Sequence, residues 1–271
     1  MVLVNGEPAT ALCVTDRGLQ YGDGVFRTLR VRAGRALNWE RHFRRLAHDC
    51  AALGLPAPDE PALRAEMARV APGDATMKIT ITRGASGRGY ALPAQTLPTR
   101  IVAASAPPDY PEDLARDGIR VRQCALRLAE QPRLAGVKTL NRLENVLARA
   151  EWSDPAVREG LLCDAHGRLV EATMSNVFLV RHRAVATPDL SRCGVAGAQR
   201  ERVIDFARAA GIACDVRDIA PGEVLEADEA FLTNSLIGIW PVASLGERLW
   251  AAGPLTRRLQ ALIEADDAHG P

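Results

Sequence analysis

The chain has 271 residues with 34 basic against 33 acidic side chains, so its net charge of +1 offers no field for nucleic acid or an anionic membrane surface. Only 4% of it is aromatic, too little for the stacking platforms that single strands need, while 47% hydrophobic and 25% charged residues is ordinary globular composition, which excludes disorder and fibrous structure. The opening Met1-Val-Leu-Val-Asn-Gly6 has no basic region and nowhere do about 18 apolar residues run together, so we read a soluble, cytoplasmic protein.

In chain order, residues 2–4 read as a short strand closed by the Asn5-Gly6 turn, and 27–32 alternate polar and apolar before a turn at Ala33-Gly34. Trp39, Phe43, Leu46, Cys50 and Leu53 recur at helical spacing, with Asn38 as N-cap and Gly54 and Pro56 as the stop. A helix near 61–70 is followed by strand 75–83, a glycine-rich loop at 84–89 and strand 99–104. The segment Pro107-Pro108-Asp-Tyr-Pro111 reads as a linker. Beyond it the pattern predicts strand 119–124, an irregular stretch to Val137, and a helix over 141–152 whose Leu143, Val146, Leu147 and Ala150 form one face. Strands at 160–163 and 168–171 flank a turn at 164–167, and strands at 177–180 and 184–187 flank a turn at 181–183. Helix 198–210 precedes strand 212–217, strand 229–233 runs into Thr233-Asn-Ser235, and a terminal helix covers 255–265. The expectation is an α+β chain of two domains, the smaller over 1–105, a linker over 106–116 and the larger over 117–271.

Six scattered cysteines form no C-x-x-C pair and read as reduced core thiols, and five histidines lack ligand spacing, so no metal is expected. Among the basic residues only Lys78 and Lys138 are lysine; all the others are arginine. A lysine can shed its proton when desolvated and can condense with a carbonyl, and a guanidinium can do neither, so both lysines are candidate chemical groups. Lys138 ends an apolar run just before a helix, where partial desolvation favours the nucleophilic amine. A lysine snorkelling from the helix start is the plainer reading, which the positive end of the helix dipole weakens. Glu171 joins two apolar strands and asks for a cationic partner; taken alone, a structural arginine answers that better than a ring nitrogen. Arg45, alone, reads as a solvated helix face. Gly194-Val-Ala-Gly-Ala-Gln-Arg200 opens a helix whose first N–H groups could meet a phosphate, and Thr233-Asn-Ser235 either adds donors or is an ordinary turn.

Five motifs stand in one order: Asp16-Arg-Gly-Leu-Gln-Tyr-Gly-Asp-Gly-Val-Phe26, Val137-Lys-Thr-Leu-Asn-Arg-Leu-Glu144, Glu171-Ala-Thr-Met-Ser-Asn-Val-Phe178, Thr187-Pro followed by Gly194-Val-Ala-Gly197, and Thr233-Asn-Ser235. From end to end the chain resembles the fold-type IV pyridoxal-phosphate enzymes of the branched-chain aminotransferase class. Arg83-Gly-Ala-Ser-Gly-Arg-Gly-Tyr90, the run around Lys138 and Phe26-x-Thr28 resemble that family's lyase branch, which implies release of pyruvate from aminodeoxychorismate to leave 4-aminobenzoate. The alternative is transamination of a D-amino or branched-chain amino acid. The resemblance implies pyridoxal 5'-phosphate as cofactor, Lys138 as its Schiff-base lysine, Arg45 as its phosphate-binding arginine, and Glu171 as partner of its ring nitrogen. It further implies that Ser235, Asn234 and the N–H groups of Ala198 and Gln199 serve the cofactor. Thr28 then approaches the reacting carbon, and Lys78, Arg88 and Asn234 face the substrate. A homodimer is implied as well. Arg27 stands where aminotransferases of the class carry Glu, and Asn141-Arg142 where they carry Asn-Tyr; both departures speak against ordinary transamination.

Overall fold

The polar–apolar alternation at residues 27–32 becomes, in the computed structural model, part of a longer strand, Gly24–Arg32, buried on one face and more open on the other; the structure describes residues 1–269. Two compact units are formed, Met1–Pro108 with Val137–Asn141, and Asp109–Gly136 with Arg142–Pro271.

The first unit contains β1 (Val2–Val4), β2 (Glu7–Pro8), α1 (Arg17–Tyr21), β3 (Gly24–Arg32), β4 (Arg35–Ala36), α2 (Trp39–Ala52), α3 (Glu60–Val70), β5 (Ala75–Thr82) and β6 (Thr99–Ser105). Its strands form an antiparallel sheet in the order β2-β1-β6-β5-β3-β4. Val25, Leu29 and Val31 of β3 and Met77, Ile79 and Ile81 of β5 turn one way, against Leu46 and Cys50 of α2 and Leu63 and Met67 of α3. Phe26, Thr28 and Arg30 of β3 and Thr76, Lys78 and Thr80 of β5, on the other face, stay half-buried or exposed, so the core is built on one face of this sheet. Asn38 does precede α2, but in the left-handed region at φ 56° and without a side-chain cap bond, because the tight β3–β4 hairpin delivers the chain to the helix at that angle.

The second unit contains α4 (Asp113–Arg116), β7 (Ile119–Leu128), α5 (Leu143–Arg149), β8 (Val157–Asp164), β9 (Leu169–Ala172), β10 (Asn176–Arg181), β11 (Ala184–Pro188), α6 (Ala198–Ala209), β12 (Cys214–Arg217), α7 (Pro221–Glu226), β13 (Glu229–Asn234), β14 (Gly238–Leu245), β15 (Arg248–Leu249) and α8 (Pro254–His269). A mixed sheet runs β12-β11-β10-β13-β14-β7-β8-β9, with β15 on β14. It is covered on both faces: Val177, Leu179, Leu232 and Trp240 meet Leu114 of α4 and Val224 of α7, while Phe178, Phe231 and Ile239 meet Val203 of α6 and Leu259 of α8. That double burial is why Val177-Phe-Leu-Val180 reads as an unbroken apolar run. No helix among the described residues is long and apolar enough to cross a membrane.

Two expectations are corrected here. The helix expected over 141–152 is shorter, Leu143–Arg149, and its apolar stripe faces outward, with Leu143 at 74% and Val146 and Leu147 each at 60% exposure. Ala148, on another face, is the residue that packs inward. The expected boundary at 106–116 falls at Pro108, but Val137–Asn141 packs with the first unit, so the lysine assigned to the larger domain belongs by its contacts to the smaller one.

Candidate active site

The segment Val137–Asn141 is laid against β3 where β4 does not reach. Thr139 stands opposite Val25 in an antiparallel bridge, the peptide N–H of Phe26 donates to the carbonyl of Lys138 at 3.0 Å, and that of Leu140 donates to Gly24 at 3.0 Å. Thr139 and Val25 point into the core, so the pleat turns Lys138 to the open face, the side of Phe26 and Thr28. On β5, Lys78 is the register partner of Thr28 and Thr80 that of Phe26, which puts Lys78 on the same face. Both lysine ammonium groups lie over the Phe26 ring, Nζ of Lys138 at 4.7 Å from its centroid and Nζ of Lys78 at 4.9 Å. The two lysines, singled out for their rarity, and Thr28, implied by the family resemblance, are thereby brought to one surface.

Behind that surface lies a polar cluster in which His42 and Asp49, assigned no role from sequence, join Arg27 and Arg45. His42, Arg45 and Asp49 follow one another at i, i+3 and i+7 along α2, and His42 and Asp49 are on its buried side. The carboxylate of Asp49, fully buried, accepts from a guanidinium nitrogen of Arg27 and, at 3.1 Å, from the peptide N–H of Lys138. Burial pushes the Arg27 guanidinium down and its Asp49 partner pulls it back only in part. Burial first, then Arg27 and Lys138, depress His42 to about 3, so its imidazole is neutral. Arg45 is half-buried, its carbonyl 3.5 Å from Arg27. Polar residues on the buried face of an amphipathic helix were the signal available in the sequence.

The glycine-rich loop 84–91 is held from α1. Arg17 and Arg83 share Asp23, with Nε contacts to its Oδ2 of 2.9 and 2.8 Å, and Arg17 donates from Nη1 to the carbonyl of Gly89 at 2.9 Å. Burial would raise the Asp23 carboxyl, but hydrogen bonds from Arg83 and Arg17 outweigh it and hold the group below its ordinary value. Arg88 projects from this loop, exposed, and its side chain has no partner among the described residues.

In the second unit, Glu171 lies buried near the end of β9, and its Oε2 accepts the peptide N–H of Val195 at 2.7 Å. Asn176 grips the same loop from the other side, donating to the carbonyl of Val195 at 2.8 Å and accepting from Gly197 at 3.2 Å. Gly194 sits at φ 83°, and a Cβ there would stand 2.6 Å from Val170. Gly197 is the N-cap of α6, without a side-chain cap, and Ala198 and Gln199 are its first helical residues. The turn 173–175 hangs on Glu159, whose buried carboxylate accepts from Thr173 and, at 2.6 Å, from Ser175; burial raises its pKa despite those bonds. Asn234 donates to the carbonyl of Met174 at 3.1 Å and accepts from Leu236 at 2.9 Å, so its amide is engaged in shaping the turn that Ser235 opens. Glu159 and Asn176 were also missed: an acid in a strand carries no sign of the donors that gather on it.

A family model for amino-transferase class IV matches residues 24–245. The aminodeoxychorismate lyase of Vibrio harveyi is 34% identical over 266 residues, 96% of this chain and 98% of that one. The crystal structure of 4-amino-4-deoxychorismate lyase from Pseudomonas aeruginosa matches with a TM-score of 0.95 at 48% identity, covering 98% of this chain and 99% of that one. The branched-chain amino acid aminotransferase of Escherichia coli matches at a TM-score of 0.86 and 22% identity, over 97% and 93% of the two chains, a likeness of fold.

Proposed function

The chain belongs to the class IV aminotransferase family, with the fold-type IV architecture, and on that premise we propose that it is a pyridoxal 5'-phosphate-dependent lyase converting 4-amino-4-deoxychorismate to 4-aminobenzoate and pyruvate. The observation that carries the reading is the open face of the first unit, where an amine fit for covalent work, a hydroxyl and a second cation stand together.

The donor set fits the cofactor. An aldehyde needs an amine, which Lys138 supplies; a phosphate needs a guanidinium and oriented N–H groups, for which Arg45, Ala198, Gln199 and Ser235 would serve; a pyridine nitrogen needs a carboxylate, which Glu171 supplies, oriented by the peptide N–H of Val195 at 2.7 Å. When bound, the group supplies an electron sink for the pair left behind by the departing proton.

The chain's own residues do the rest. Lys78 and Arg88 draw the substrate's two carboxylates, Arg88 by a bidentate grip and Lys78 as a point charge. Nζ of Lys138 removes the proton from the amine-bearing ring carbon and delivers a proton to the enolpyruvyl group as its carbon–oxygen bond breaks. The Thr28 hydroxyl, on the same face, steadies the reacting carbon's neighbourhood. Glu171 keeps the ring nitrogen's proton in place by charge pairing. One C–H and one C–O bond break, the carbocycle becomes aromatic, and no water or redox partner is consumed. Transamination, the rival chemistry, is disfavoured by Arg27, which brings a buried positive charge where that branch of the family carries Glu.

The outward apolar stripe of α5, Leu143, Val146 and Leu147, supports a homodimer, and six free thiols suit a reducing cytoplasm. The test is incubation of the cofactor-loaded enzyme with aminodeoxychorismate, following both products. Equal yields of 4-aminobenzoate and pyruvate are expected. Absence of 4-aminobenzoate, with amino-group exchange from D-alanine to a keto acid, would replace the lyase with an aminotransferase.

A further inference from the structure

The chain has two lysines, and both ammonium groups rest on one ring. Phe26 is half-buried and stands outside the apolar core that claims its neighbours Val25 and Leu29. The same residue that offers the ring also fixes the Lys138 backbone, through its peptide N–H at 3.0 Å. Lys78 is diagonal to it across the β3–β5 pair, one register step beyond Thr80, which is within the reach of a long side chain. A ring face attracts cations, and a four-carbon stem otherwise leaves an ammonium many positions to choose from.

We propose that Phe26 is a positioning residue that seats the Lys138 and Lys78 amines on one aromatic surface and so sets the spacing between the amine that handles the substrate's proton and the cation that meets its carboxylate. This rests on the lyase reading for the substrate, and on the geometry alone for the seating. The ring acts as a ruler: a substrate whose carboxylate engages Lys78 presents its amine-bearing carbon to Lys138, and a smaller amino acid spanning less than that spacing reaches one lysine without the other. Specificity for a large cyclic amine follows from one side chain that carries no charge.

Because there are only two lysines, the seating can be read directly. With lysine labelled by 13C at the ε carbon, the full-length chain freed of cofactor gives two ε-methylene signals, assigned by the loss of one in Lys78→Arg and the other in Lys138→Arg. Both are expected upfield of a solvent-exposed lysine, shifted by the ring current. Phe26→Leu should return both toward the exposed position, and Phe26→Tyr, which keeps the ring, should leave both in place. In the loaded enzyme Phe26→Leu should raise KM for aminodeoxychorismate about tenfold, with the cofactor's absorbance unchanged and Phe26→Tyr near normal. Failure of the wild-type chain to form 4-aminobenzoate would remove the substrate reading and leave the seating standing. A wild-type spectrum with either lysine at the exposed position, or Phe26→Leu shifting neither signal, would overturn the proposal itself, and the wild-type arm decides even where the leucine variant does not fold.

Discussion

Asp49 accepts from both Arg27 and the peptide of Lys138, so one buried carboxylate serves as counter-ion and as backbone anchor. Arg27→Met leaves that charge without its guanidinium and should cost roughly 3 kcal/mol in urea unfolding, while Arg27→Met with Asp49→Asn, which removes the charge but keeps an acceptor for Lys138, should recover most of it. His42 carries a pH signature. Its pKa falls from 6.5 to about 3 in the folded chain, through burial, Arg27 and Lys138. Between those values the unfolded chain binds the extra proton, so the contribution to stability is complete above the upper value and drains away as pH falls toward the lower one. His42→Asn should therefore flatten the decline of Tm over that window. Borohydride treatment of the loaded enzyme should fix the cofactor to Lys138 alone; label on Lys78 in a peptide map would reverse the roles of the two lysines.

At the scale of elements, the loop 194–197 ties Glu171 to the start of α6, and its shape depends on glycine. Gly194→Ala meets both a positive φ and a Cβ 2.6 Å from Val170, so it should lower cofactor retention on dialysis and cost about 1–3 kcal/mol of stability. Gly167→Ala, at the same φ of 83° with nothing within 4 Å, isolates the backbone contribution and should leave retention unchanged. Strands and helices with a clear period were legible in the sequence: α2, β5 and β10 stand within a residue or two of expectation. The central strand β14 was not, because Pro241 interrupts Gly-Ile-Trp-Pro-Val and a proline argues against a mid-sheet strand; the register shift between Val242 and Ser244 is where the sheet absorbs irregularity. Lys138, Thr28 and Glu171 could be named because their motifs are local, and Lys78 because it is one of two lysines in the chain. Asp49, Arg27 and Phe26 could not be assigned work, because what they do is set by register across β3 and by the approach of α2, which no local window contains.

For the whole molecule, the apolar stripe that periodicity found on α5 is turned outward, with Leu143, Val146 and Leu147 all exposed. On the proposed homodimer, Leu147→Glu should give a monomer in size-exclusion chromatography with light scattering where the unaltered chain gives a dimer; a dimer from both would detach α5 from the proposed interface. The placement of Val137–Asn141 bears on how the protein is made. β4 pairs with β3 only at Val31 and Arg32, so when the ribosome has delivered Pro108, the first sheet has its strands but a bare rim at Gly24–Phe26. The strip that covers the rim emerges only after β7, and it brings Lys138 with it. The early-synthesised half is completed by a late-synthesised piece, so the nascent chain holds no reactive amine in place until most of the polypeptide that restrains it has been made.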